Sequence, residues 1–152
     1  MSITFTVPGV PVGKGRPRFA KRGQFVKTYT PEKTASYENL VKMAAAEAMH
    51  STLPMEGAVS LNLLLYITPP VSWSEKKKKA ALSAEIWPTS KPDIDNVLKG
   101  IADACNGIVW LDDKQIVDCQ ISKKYAERAE AVVIVELVQA QKTLRNNPKR
   151  KQ

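Results

Sequence analysis

Histidine and thiols are scarce in this 152-residue chain, which has one His and two Cys. Cys105 and Cys119 stand at no metal-ligand spacing, in stretches that read as helix and strand, so neither a disulfide framework nor a zinc site is built from them. A reducing compartment is expected. His50 sits near a helix end and reads as a surface residue rather than a ligand. No apolar run approaches the roughly eighteen residues that span a bilayer. The opening MSITFTVPGVP lacks the basic stretch and apolar core of a secretory leader. A soluble, cytoplasmic protein without internal repeats is expected.

Acids are the next scarcity. Twenty-three Lys and Arg face fifteen Asp and Glu, for a formal charge of +8 and an isoelectric point near 9.5, which points to a polyanionic partner. Residues 139–152 contain Lys142, Arg145, Lys149, Arg150 and Lys151 and no acid, so removing their five charges from +8 leaves +3 for residues 1–138. With 43% hydrophobic residues, the expectation is one domain over 1–138 and a disordered basic tail over 139–152. A second acid-free cluster, Lys14, Arg16, Arg18, Lys21, Arg22 and Lys27, falls in a Gly- and Pro-rich stretch. Cations on such a loop can follow a phosphate backbone, and the plain alternative is a solvated loop. The run Lys76 to Lys79 is flanked by Glu75 and Glu85 and reads as a charged helix face.

Hydrophobic periodicity orders the rest. Residues 3–7 alternate as a half-buried strand, residues 11–22 read as irregular, and residues 25–29 resume an extended pattern. Thr30 and Pro31 start a helix over 31–49, with Tyr37, Leu40, Val41, Ala44, Ala45 and Ala48 inward. Residues 58–68 read as a buried strand and 74–85 as a short helix capped by serine. Residues 93–106 form the clearest helix, since Ile94, Val97, Leu98, Ile101 and Cys105 fall at i, i+3, i+4, i+7 and i+11, with Asn106 and Gly107 as its stop. Residues 116–125 and 131–138 read as paired strands. Trp73, Trp87 and Trp110 sit beside apolar segments and read as core or rim.

The chemistry concentrates in KPDIDNVLKG, residues 91–100, and WLDDKQ, residues 110–115. Pro92 disfavours helix at Lys91, which puts Asp93 and Asp95 at a helix N-terminus, where the macrodipole favours negative charge. Simple capping explains one such acid. At an N-cap, however, the first carboxylate leaves an extended chain and the second the first turn, so both can reach one ion. The helix from Asp95 to Cys105 advances about 15 Å at about 1.5 Å per residue, and residues 107–113 span roughly 20 Å when extended. The chain can therefore return Asp112 or Asp113 to the helix start. Carboxylates without His or thiolate make a hard oxygen site suited to Mg²⁺ or Mn²⁺, and such an ion can activate water against a phosphodiester. Lys99, four residues after Asp95, either reaches a phosphate at that ion or forms a surface pair with Asp95. Asp103 and Asp118 read as solvated.

The two segments together, Asp93-x-Asp95-Asn96-x-x-Lys99 followed by Trp110-Leu111-Asp112-Asp113, resemble the RusA-type Holliday-junction resolvases. The likeness extends over the first strand, the loop GKGRPR, the helix start YTPEKTASYE and the closing strands, most of residues 1–138. It implies an α+β fold with a mixed sheet and helices packed on it, and a homodimer, because paired cuts in a four-way junction need two sites. It also implies that Asp93, Asp95 and Asp113 bind Mg²⁺, that Lys99 is catalytic, and that the partner is branched DNA. Within the basic cluster, Phe19 is the side chain suited to wedge into a junction. The chain departs from the family pattern in the loop 13–27 and in the tail. Two other readings stay open: a nuclease of the same metal chemistry acting on other branched DNA or RNA, and a non-catalytic DNA-binding protein.

Overall fold

The computed structural model describes residues 1–15, 18–22, 25–29 and 32–139, with 18–22 and 25–29 described by their backbone. The basic tail from residue 140 lies outside them, as do Arg16 and the cap at Thr30 and Pro31. Ten elements follow one another: β1 (Ser2–Pro8), β2 (Arg18–Arg22), β3 (Phe25–Tyr29), α1 (Glu32–Met49), β4 (Val59–Ile67), α2 (Glu75–Leu82), α3 (Ile94–Cys105), a 3-10 turn (Asp113–Gln115), β5 (Ile116–Tyr125) and β6 (Glu130–Leu137). The α+β expectation holds, with a four-stranded mixed sheet in the order β1-β6-β4-β5.

Alternation builds the core. Val59, Leu61, Leu63 and Leu65 on β4, Ala131, Val133 and Val135 on β6, and Ile3, Phe5 and Val7 on β1 are all buried. Antiparallel register sets Phe5 and Leu63 on either side of Val133, so three strands present one apolar face. Against it lie Tyr37, Val41, Ala45 and Met49 of α1 and Val97, Ile101, Ala104 and Cys105 of α3. Each large apolar side chain so buried contributes roughly 1.5–3 kcal/mol.

Three local expectations are corrected. Residues 18–22, read as irregular, form β2, an antiparallel partner of β3. Leu40 and Ile94 are exposed, because the inward stripe of α1 steps through Thr34, Tyr37, Val41, Ala45 and Met49, and Ile94 occupies the first turn of α3. The third correction is topological. β5 and β6 do not pair: β4 lies between them, parallel to β5 and antiparallel to β6. A short connection permits either a hairpin or a passage over the end of β4, and Ala126 N–H donates to Ile67 O at that end. The central place goes to β4, whose buried backbone needs partners on both edges. β5, carrying exposed Asp118 and Gln120, takes the rim.

Two buried groups tie stability to pH. Burial pushes the Cys105 thiol and the Tyr37 hydroxyl up to about 12, from 9.0 and 10.0. A raised folded pKa means stability that is complete below the unfolded value and is lost as pH rises through the folded one. Melting temperatures followed from pH 8 to pH 11 should therefore fall once pH passes about 9. At pH 8, iodoacetamide should add to exposed Cys119 and reach buried Cys105 only in denaturant, a difference of one adduct by mass spectrometry.

Candidate active site

Everything here is arranged along α3. Asp93 is its N-cap in extended conformation (φ −75°, ψ 134°), yet its side chain makes no capping hydrogen bond, and Asp95 follows in the first turn. Both are exposed. The turn leading into Asp93 is held from the sheet: Lys123 Nζ on β5 donates to Ser90 O at 2.6 Å and Pro92 O at 3.0 Å. The capping role that alone would explain Asp93 is thus not what its carboxylate performs.

The second acidic segment returns from the other end of the helix. Gly107, at φ +79°, reverses the chain after Asn106 and donates its N–H to Trp110 O. Trp110 is fully buried, its indole N–H donating to Asn106 Oδ1 at 2.8 Å. Gln115 then fastens the turn with its whole amide. Its oxygen accepts from Leu111 and Asp112 N–H, and its nitrogen donates to Met55 and Gly57 carbonyls, all four at 2.9 Å. Asp112 caps the turn, accepting from Lys114 N–H at 2.9 Å. Its neighbour Asp113 is left half-buried beside Asp103. The returning chain therefore brings Asp113 beside Asp103 on α3.

Asp103, read from sequence as solvated, is the hub of an ion-pair cluster. Lys14 Nζ donates to Asp103 Oδ2 and lies 3.5 Å from Glu38 Oε1, while Lys99 Nζ stands 4.0 Å from the same Asp103 oxygen. Burial pulls the Asp103 carboxyl up, but the hydrogen bond and charge of Lys14, aided by Lys99 and Asp113, hold it below the usual carboxylate range. The hydrogen bond to Asp103 in turn raises Lys14. Lys99, largely exposed, pairs with Asp103 and not with Asp95. Lys14, expected from sequence to contact phosphate, is engaged within the protein by the Asp103 and Glu38 carboxylates. The backbone repeats the attachment, with Lys14 N–H donating to Asn96 O and Gly15 N–H to Thr34 Oγ1, both at 3.0 Å. Gly13 makes this approach feasible, since a Cβ there would stand 3.0 Å from Asn96 Cβ.

Of the remaining basic cluster, Arg18, Phe19, Lys21 and Arg22 lie on β2 and Lys27 on β3, an antiparallel pair that follows the anchored segment 13–15. Among the described residues no three His, Cys, Asp or Glu side chains gather closely enough to hold a metal ion. The donor set still fits Mg²⁺, which takes one or two carboxylates and completes its octahedron with water and phosphate oxygens. Asp93 and Asp95 carry exposed carboxylates, and the Asp93 carboxylate makes no capping hydrogen bond.

Sequence reasoning missed three residues. Gln115 was signalled, since Asp112-x-x-Gln115 has the spacing of a capping box. Asp103 was signalled more weakly, as the third acid-or-lysine step after Asp95 and Lys99 along one helical face. Lys123 had no local signal, because only the strand order brings it to residues 90–92.

The model of the family "Endodeoxyribonuclease RusA" matches residues 8–136. The chain is also similar to "Uncharacterized protein YqaN" of Bacillus subtilis (strain 168), 39% identical over 140 residues, covering 91% of this chain and 98% of that one.

Replacing Gln115 tests how tightly the Asp113 turn is held. Gln115→Leu strips two backbone carbonyls and two N–H groups of partners and should lower stability by about 1–3 kcal/mol in urea unfolding. Gln115→Glu should cost a similar amount, because a carboxylate keeps the two acceptor contacts but faces the carbonyls of Met55 and Gly57 without a donor.

Proposed function

Because the chain belongs to the RusA endodeoxyribonuclease family, we propose that it resolves four-way DNA junctions by paired, symmetric hydrolysis of phosphodiesters in a homodimer, with Mg²⁺ as cofactor and Mn²⁺ as substitute. The observation that carries this reading is that two acidic segments remote in sequence are each pinned to the body by side-chain hydrogen bonds, while Asp93 and Asp113 have no capping duty. Groups held rigidly without a structural task suit a reacting site.

In this reading Asp93 and Asp95 hold the cation, with Asp113 as the third carboxylate that the family likeness assigns to it. When bound, Mg²⁺ supplies Lewis-acid stabilisation of the phosphate and makes water a better nucleophile. Water attacks phosphorus and one P–O bond breaks, with no covalent intermediate. Lys99, whose exposed ammonium is only loosely paired, donates to a non-bridging oxygen as charge develops there. Arg16, Arg18, Lys21, Arg22 and Lys27 grip backbone phosphates, Phe19 wedges the branch, and the tail 139–152 adds sequence-independent attraction. Lys14 serves as the hinge pin of that basic segment.

A synthetic four-way junction with Mg²⁺ should yield symmetric paired nicks. Asp93→Asn should lose cleavage while binding as well or better, since a charge repelling phosphate is gone. Asp113→Asn should lose cleavage too. Asp112→Asn, which keeps a good cap acceptor, should retain it. Faster cutting of flaps, other branches or RNA in the same panel would replace the junction as substrate. Binding without cleavage of any of them under Mg²⁺ or Mn²⁺ would leave a non-catalytic DNA-binding protein.

A further inference from the structure

We infer that the cleft between residues 10–15, the first turn of α1 and the 91–93 turn is a phosphate subsite, in which Lys33 and Lys91 grip the DNA strand one nucleotide away from the bond being cut. The inference rests on the nuclease reading above and names a part of the substrate grip that neither the motifs nor the basic cluster indicated.

The cleft is open and has a volume of about 510 Å³, with Asp93 on one wall. Three cations line it: Lys14, Lys33 and Lys91. Lys14 is already engaged by Asp103 and Glu38, so its charge is balanced within the protein. Lys33 and Lys91 are both exposed, and among the described residues neither forms an ion pair. Two unbalanced cations thus line one cleft, whose remaining uncharged polar lining is backbone, Thr34 and Asn96, and Thr34 already accepts from Gly15 N–H. Asp93 is the one carboxylate among the described lining residues, and in the nuclease reading its charge is met by the cation it binds.

The occupant is set by this chemistry. A site with two unpaired lysines on its lining and an open mouth selects a solvated anion on a continuous chain rather than a buried small molecule. Lysine acts as a point charge toward phosphate, without the bidentate geometry that would read a base. Because Asp93 forms one wall, a strand whose scissile phosphate sits at Asp93 and Asp95 runs its next phosphate into the cleft. A DNA strand carries one charge about every 3.4 Å of axis, so adjacent phosphates are within reach of both places. The grip is therefore independent of sequence and fixes the strand's register at the acids.

Salt dependence of binding separates the lysines. The full chain is titrated onto a fluorescent four-way junction with Ca²⁺ in place of Mg²⁺, at several salt concentrations. Each phosphate contact removed should make the slope of log K against log salt shallower by about 0.7–0.9. Lys33→Gln and Lys91→Gln should each show that change, and the double variant about twice as much. Lys79→Gln on α2, which controls for net charge, should keep the wild-type slope. Unchanged slopes for Lys33→Gln and Lys91→Gln, or an equal change for Lys79→Gln, overturn the subsite while leaving the nuclease reading in place. Failure of the unmodified protein to bind branched DNA overturns the nuclease reading and the subsite with it.

Discussion

Like charges crowd one helix, and the fold tolerates them because a lysine from the first loop comes to meet them. Asp93, Asp95 and Asp103 all belong to α3 or its cap, and the turn after it adds Asp113 beside Asp103. Two like charges 4 Å apart repel by about 1 kcal/mol in water and about 4 kcal/mol at the effective dielectric of a protein surface. Lys14 enters this field with its side chain about three-quarters buried and gives its ammonium to Asp103 and Glu38. The same contact fixes where the basic strands β2 and β3 leave the body, since residues 13–15 are fastened to α3 and α1 by backbone bonds as well. One ion pair therefore relieves acidic repulsion at Asp103 and helps fasten residues 13–15 to α3 and α1.

Around that pair, the irregular segments are set by side chains bonding to backbone rather than by ladders. Gln115 spends all of its hydrogen-bonding capacity on the Asp113 turn and the 55–57 strand entry. Lys123 does the same for residues 90–92 from the sheet edge. Such cross-links make loop-borne groups nearly as well placed as groups on regular elements, and small displacements of reacting groups are costly. Division of labour within the Asp pair has the same origin: Asp112 closes the turn, which leaves Asp113 available. The loosely tied member is Lys99, a long side chain largely in solvent.

Much was legible from the amino-acid order alone. The 3.6-residue period of residues 94–105 and the alternation of β1 and β4 specify their elements because each apolar face is a short-range pattern. The acids of residues 93–113 and the family likeness they carry are equally local, and the match over residues 8–136 bears the likeness out. The strand order was not legible: residues 116–137 look like a hairpin until β4, with more apolar surface to bury, takes the place between them. Nor was the partner of Lys14, which lies 89 residues away at Asp103 and becomes a neighbour only when α3 packs against α1. Periodicity, caps and motifs depend on side chains a few residues apart, and the sequence by itself determined those. Which charges are neutralised and which stay free for a ligand depends on where remote segments meet, and only the packing of helices on the sheet decided that.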